Sequence, residues 1–307
     1  MEGIIFGGGG FIGSSIVSTL TDIDWIAVDD LSLGRFENIM NPNSENVRGD
    51  ISDRKGVEKL IKDSPDFVMM MNGLSSNPLY HPDPRRGYET MLGGALNVFD
   101  ACRRWDVKRV IYASSSSIYG NTPAGEQVET ANVTPPNFYS CAKLAVENAA
   151  KVYSEAYGIA TVGFRYFSVY GYPERHKGRY ANVITQFIWE MLEGKSPLIY
   201  GDGEQTRDAV FISDVVEANR LAIEKDLKGA NVFNIGTAVQ TSFNRFVELI
   251  NTKSGTGIKP RYTENPIHNY VFDTKADTRL ARKVLGFEAK VGIEEGINKT
   301  VDYYKNH

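Results

Sequence analysis

A chain of 307 residues is long enough to bury a large core in one domain or in two intermixed ones, so it needs no disulfide or metal staple. With 42% hydrophobic and 23% charged residues, and no apolar run approaching the roughly 18 residues of a membrane span, it reads as an ordinary globular chain. A net charge of −4 argues against a dominant nucleic-acid surface, and the two cysteines, Cys102 and Cys141, lack a CxxC spacing and fit a reducing compartment.

Strand-like sequence begins by Ile4 with no leader-like run before it, so a cytoplasmic protein is expected. Short apolar runs then alternate with helix-length amphipathic segments. GIIF is followed by FIGSSIVSTL, DWIAV by a polar loop, DFVMMM by the stretch after Pro84, and RVIYAS by a long helix containing Tyr139; ATVGFRYF closes the series. The runs lack polar alternation, as expected of strands buried on both faces, and the rhythm is that of a doubly wound parallel sheet of Rossmann type. Within DFVMMM, the Met69 to Met71 run is read as buried strand rather than a thioether metal site. We place a nucleotide-binding domain at residues 1–165 and a smaller, mainly substrate-binding lobe at 166–307. The second lobe opens with the loops SVYGYPERHKGRY and GDGEQTRDA. Its helices are expected near 183–193, 214–225, 243–254, 278–285 and 293–304, and it shares strands with the first.

Two features carry chemistry. Gly7, Gly10 and Gly13 follow a strand and open a helix, so the backbone can turn tightly and approach a pyrophosphate whose charge the helix N-terminus meets. Phe11 and Ile12, at the start of that helix, are grouped with the cofactor contacts. Asp29 ends the second strand 19 residues beyond Gly10, where a carboxylate accepts from ribose hydroxyls and repels a 2′-phosphate, which selects NAD over NADP. Asp50-Ile51 either holds the adenine or, through Asp50, caps the next helix. The second feature is Tyr139 and Lys143, four apart on one helix face, with an ammonium placed to favour the phenolate. A drop of roughly 3 units from the usual value of about 10 would make the tyrosine a working base. Of the sixteen tyrosines only Tyr139 has a lysine four residues later.

Taken in order, GGGGFIG, VDDLSLG, SSSSIYG, YSCAK, RYFSVYG, GDGEQTRD, VFNIG and KADTRLARKVLGF resemble the extended short-chain dehydrogenase/reductase family over essentially the whole chain. Within it the resemblance is to nucleotide-sugar 4-epimerases of the UDP-galactose 4-epimerase type. It implies Tyr139 as acid-base, Lys143 as the group that lowers its pKa and holds the nicotinamide ribose, and Ser115 as a hydrogen-bond partner of the sugar hydroxyl. Ser114 goes with the cofactor contacts, and Ser168 with the substrate contacts. Asn182 and Arg207 match positions that grip the nucleotide diphosphate. The implied reaction oxidises C4 of a UDP-hexose to a 4-keto sugar and returns hydride to the opposite face. The resemblance also implies a homodimer through the helices after Pro84 and around Tyr139, where Ala142, Ala145, Ala149 and Ala150 let helices approach.

One position bears on substrate range. The residue three before Asp277 is expected to border the sugar 2-substituent; it is Thr274, smaller than the tyrosine that restricts relatives to plain hexoses, so UDP-N-acetylhexosamines are expected as substrates too. The chain also departs from the family pattern at Phe6, Met70, Asn72-Gly73, Met91, Ser168 and Ile267. Rival readings are a nucleotide-sugar dehydratase, disfavoured because Ser115-Ser116-Ser117 replaces its threonine-aspartate-glutamate set, a decarboxylating uronate enzyme, disfavoured by the same missing glutamate, a UDP-uronate 4-epimerase, and a non-catalytic NAD-binding sensor.

Overall fold

The computed structural model describes residues 1–266 and 270–307. Its strands are β1 (Glu2–Phe6), β2 (Asp24–Asp29), β3 (Glu45–Arg48), β4 (Phe67–Met70), β5 (Arg109–Ala113), β6 (Ala160–Tyr166), β7 (Leu198–Tyr200), β8 (Thr206–Arg207), β9 (Ala230–Ile235), β10 (Thr241–Ser242) and β11 (Arg261–Thr263). The helices are α1 (Phe11–Thr19), α2 (Arg54–Ile61), α3 (Pro84–Tyr88), α4 (Gly94–Arg104), α5 (Phe138–Tyr157), α6 (Val183–Leu192), α7 (Ile212–Glu224), α8 (Phe243–Ser254), α9 (Arg279–Leu285) and α10 (Ile293–Asn306). A π-helical turn, Glu89–Gly93, joins α3 to α4.

Seven strands form one parallel sheet in the order β3-β2-β1-β4-β5-β6-β9. The apolar runs are continuous because both faces are covered. Ile5, Met69, Ile111 and Val162 enter one core with α1, α6, α7 and α8, while Ile4, Phe6, Val68, Met70, Val110 and Tyr112 enter the other with α2, α4 and α5. The methionine run is therefore strand through Met70, and Met71 lies just past it on a cavity wall. The late chain returns to this sheet. β9 pairs with β6 from Thr161↔Ala230 to Tyr166↔Ile235, and α7 packs on α1. Two small sheets, β8 with β10 and β7 with β11, build the outer lobe. The five late helices fall within two residues of the expected bounds at each end. Among the described residues no helix is long and apolar enough to cross a membrane.

The strand order reverses between β1 and β4, so the connections leaving their C-terminal ends diverge and open a crevice there. The local sequence fixes what stands around it. Asn137 caps α5, accepting from Ser140 N–H at 3.0 Å while the Ser140 hydroxyl takes the Asn137 N–H, so the helix starts at Phe138 and presents Tyr139 from its first turn. Gly158, with φ of 73°, stops the helix in the left-handed conformation.

Candidate active site

The crevice is a cavity of about 760 Å³. Its walls bring together Gly7, Gly10, Phe11, Ile12, Asp29, Asp50, Ile51, Ser114, Ser115, Tyr139, Lys143, Ser168 and Asn182. Gly13, Arg207 and Thr274 are not on those walls.

The glycine turn is built by steric exclusion. Gly7 has φ of +82°, and a Cβ there would stand 2.6 Å from the backbone nitrogen of Asn72, beyond the end of β4. Gly13 lies behind the turn, where any Cβ would strike the Gly7 carbonyl oxygen, and so serves close packing of α1 rather than ligand contact. Gly10 caps α1 without a side-chain hydrogen bond, and the first turn carries no acidic residue. The amides at this helix end are thus left to an anion. Asp29 ties the turn to the loop after β2, Oδ2 accepting from Gly9 N–H at 3.0 Å and Oδ1 from Leu31 N–H at 2.8 Å. Burial pushes its carboxyl up, and the two N–H bonds pull it back. Asp50 does not cap α2. It accepts from the Ser52 N–H and hydroxyl, and Asp53 is the cap. A cradle that a Cβ would fill, an uncapped helix end and a carboxylate at the end of β2 fit the pyrophosphate and ribose of NAD.

Opposite the turn, the Ser115 hydroxyl faces the Tyr139 phenol closely enough to favour its ionised form, and it accepts from Ser117 N–H at 3.1 Å. Tyr139 packs edge-on against buried Tyr80, ring centroids 5.9 Å apart. The drop expected for its pKa is absent: burial pushes the phenol up, and Ser115 draws it only part of the way back. Lys143 Nζ lies 5.9 Å from the Tyr139 ring centroid and donates to the Ala113 carbonyl at 2.7 Å. Burial brings that ammonium down to about 8, with Glu147 acting against the shift. The geometry therefore gives a buried tyrosine with a serine neighbour and a nearby ammonium directed at the end of β5.

Ser168 adopts φ of +33°, strained for a residue with a side chain, and accepts from Asn182 Nδ2 at 3.0 Å. Arg207 is held elsewhere. Its Nη1 donates to the carbonyls of Thr206 and Phe272 at 2.7 and 2.9 Å, and the guanidinium lies over Phe243 and Tyr270. Thr274 is buried, and its hydroxyl accepts the Asp208 N–H at 3.1 Å. It fastens the Asp208 loop and is not among the residues that line the cavity. Among the departures, Phe6 and Met70 are core residues, and Met91 explains Gly73. The Met91 Cε would lie 2.3 Å from a Cβ at position 73. Ile267 lies outside the described residues.

Residues 4–236 match the NAD dependent epimerase/dehydratase family. The chain belongs to that family. A putative UDP-glucose 4-epimerase of Methanocaldococcus jannaschii is 33% identical over 313 residues, covering 99% of this chain and 98% of the relative. A UDP-glucose 4-epimerase of Thermotoga maritima solved with UDP-glucose superposes with a TM-score of 0.94 at 32% identity, covering 100% of this chain and 99% of that one. A UDP-N-acetylglucosamine 4-epimerase of Methanobrevibacter ruminantium, solved with UDP-N-acetylmuramic acid, gives a TM-score of 0.93 at 32% identity, covering 99% and 98%. Family membership makes NAD the cofactor that the glycine turn fits.

Several residues at or behind the site escaped the sequence reading. His176 and Lys177 reach the cavity from the outer lobe, and His176 Nδ1 meets Asn38 Nδ2 at 3.1 Å, while the same amide donates to the Gly9 carbonyl. Burial and the neighbouring Lys177 and Arg35 bring His176 down to about 4, so it is neutral at pH 7. No spacing in the sequence announces it. Glu147 was readable, standing at the next i, i+4 step after Tyr139 and Lys143. So was Arg165, a lone charge in an apolar strand that is buried on both faces and requires a partner.

Proposed function

We propose that this chain is an isomerase, an NAD-dependent nucleotide-sugar 4-epimerase that inverts C4 of a UDP-hexose through a transient 4-keto sugar. The observation that carries the reading is the meeting of Ser115, Tyr139 and Lys143 in the cavity that the glycine turn opens. NAD, when bound, supplies the acceptor and donor of hydride. Tyr139 exchanges the proton of the 4-hydroxyl, Ser115 orients that hydroxyl, and Lys143 is the cation that favours the phenolate once the site is closed to water. Gly7, Gly10, Phe11, Ile12, Asp29, Asp50, Ile51 and Ser114 line the cofactor side, while Ser168 and Asn182 line the sugar side. Arg207 is retained as the diphosphate anchor on the family resemblance alone, since its guanidinium lies off the cavity walls among Thr206, Phe243, Tyr270 and Phe272. Residues 1–165 serve NAD in this scheme, and 166–307 mainly the sugar.

Acceptance of UDP-N-acetylhexosamines belongs to the same proposal, and rests on the small side chains of Ser76, Ser116, Ser117 and Ser168 along the wall rather than on Thr274. A UDP-uronate is the second substrate reading, favoured by Arg86, which lines the cavity with no carboxylate paired to it among the described residues. Dimerisation through α3, α4 and α5 is proposed as well. Ala142 and Ala150 are buried inside the chain, which leaves Ala145 and Ala149, with exposed Val152, Tyr157 and Leu96, to face a second copy. A monomeric mass by light scattering at micromolar concentration refutes that arrangement.

The direct test incubates the purified protein with the gluco and galacto forms of UDP-hexose, UDP-N-acetylhexosamine and UDP-hexuronate, and resolves the epimers chromatographically. No interconversion of any pair refutes the proposal. Tyr139→Phe is expected to lose about 10² to 10⁴ in rate with fold and NAD content retained.

A further inference from the structure

Behind Ser115 and Lys143 runs a chain of buried polar groups to which, Ser114 apart, the reaction above gives no part. Glu147 follows Lys143 by one turn of α5. It faces Arg165 of β6, which donates from Nε to Oε1 at 3.0 Å and from Nη2 to Oε2 at 2.7 Å, both side chains being 6% exposed. The Ser114 hydroxyl donates to the same Oε1. Ser114 N–H binds the Phe164 carbonyl at 2.8 Å, and the carbonyl of Ala113 takes the Lys143 ammonium. On its far side Arg165 reaches the Tyr119 hydroxyl at 2.9 Å and the Glu129 carbonyl at 3.2 Å, and Tyr119 donates to Asn234 Oδ1 at 2.7 Å.

A buried ion pair is a poor source of stability, since apolar side chains of similar volume would fill the same space as well. Its retention at this place calls for a different use. The bonds from Ser114 to Glu147 and from Lys143 to the Ala113 carbonyl tie the residues just before Ser115 to the face of α5 that carries Tyr139 and Lys143, and the Arg165 pair holds Glu147 in that place. We infer that Glu147, clamped by Arg165 and Ser114, is a positioning residue that fastens the Ser115 end of β5 to α5 and gives the Lys143 ammonium its buried counter-charge. The titratable groups around it are Lys143 on α5, Tyr112 on β5, Arg165 on β6, and Tyr119 and Glu129 beyond Arg165. Glu147 in turn acts electrostatically on Lys143 and pulls the ammonium back up against the effect of burial.

The inference rests on the epimerase reading only through its rate assay, so a second readout is included. Glu147→Gln and Tyr119→Phe are compared with wild type as NAD-loaded proteins, by turnover against pH, thermal unfolding and the 13Cε resonance of Lys143. Glu147→Gln is expected to lower kcat about 10²-fold, the effect of a misplacement near 1 Å, with KM little changed and the alkaline limb moved to lower pH. Tyr119→Phe keeps both charges and should leave that limb in place even where it lowers the unfolding temperature. A Glu147→Gln protein whose limb and Lys143 titration coincide with wild type overturns the inference. Should that variant not fold, Ser114→Ala removes the bond that joins β5 to Glu147 while the Arg165 pair and the charge remain; undiminished kcat there overturns the fastening role equally. Wild type inactive on every UDP-sugar would refute the epimerase reading, and the Lys143 resonance would still decide this one.

Discussion

Gly13→Ala is the sharpest test of how the cofactor turn is made. A Cβ on residue 13 would lie 2.1 Å from the Gly7 carbonyl oxygen, 2.9 Å from its carbon and 3.0 Å from Gly8 Cα. Ordinary contact begins near 3.4 Å, so a gap of about 1.3 Å has to be opened between α1 and the turn. All three obstacles are backbone, and no flexible side chain can swing aside. Overpacking of this kind costs about 1–3 kcal/mol, which for a chain of this size lowers the unfolding temperature by roughly 2–5 °C. The retreat carries Gly7 and Gly10 with it, and because hydrogen bonds to a pyrophosphate lose strength over such distances, NAD retained through purification should fall as well. Gly10→Ala is the control. Its φ is −75° and its nearest obstacle is one oxygen at 3.3 Å, so unfolding should stay within about 1 kcal/mol of wild type. Scanning fluorimetry and chromatography of NAD released by acid measure both effects. Gly13→Ala with wild-type unfolding temperature and NAD content would refute the steric argument.

With Lys143 held near 8 against an ordinary 10.5, turnover should decline as pH rises through about 8 and the ammonium discharges. Between those values the unfolded chain binds more protons than the folded one, so wild type should gain up to about 3 kcal/mol over Lys143→Met as pH climbs from 8 to 10.5; a flat difference in unfolding free energy contradicts this. Ser168→Asn places a residue more tolerant of positive φ at +33° and should raise stability by up to about 1 kcal/mol, read as a higher unfolding temperature; a lower one would count against strain at this position. Thr274→Tyr should cost about 2 kcal/mol or more, by overfilling a buried site and orphaning the Asp208 N–H, with plain and acetylated sugars affected alike. A stable variant with a narrowed sugar range would restore Thr274 as a gate.

The parallel sheet was legible because GIIF, DFVMMM and RVIYAS are apolar without alternation, a pattern that burial on both faces produces. The glycine turn and the Tyr139 helix were legible for a similar reason, since each is local: a few consecutive residues determine a turn, a cap or a helix face. What escaped depends on contacts between distant segments. Nothing near Thr274 in sequence reveals that its hydroxyl is occupied by Asp208 N–H, 66 residues away. Gly73 looks like a family departure until Met91 is seen filling its place, and Asp50 looks like a cap until Asp53 takes the role. The direction of the Tyr139 shift followed the same rule. Helical spacing brings Lys143 near, but the packing of Tyr80 and the pull of the Ala113 carbonyl determine what the phenol experiences.

The placement of β9 beside β6 has a consequence for the order in which this protein can come into being. A ribosome releases Ala160–Tyr166 long before residues 230–235 exist, so for that interval β6 is an open edge with unpaired amides and carbonyls. α1 likewise waits for α7 before its outer side is covered. The NAD-binding half is thus complete only when more than three-quarters of the chain has emerged. A fragment ending at residue 165 would hold six of the seven strands with a bare, sticky edge at β6 rather than be a smaller cofactor-binding protein, and attempts to graft or circularly permute this fold should keep residues 1–166 and 212–235 together.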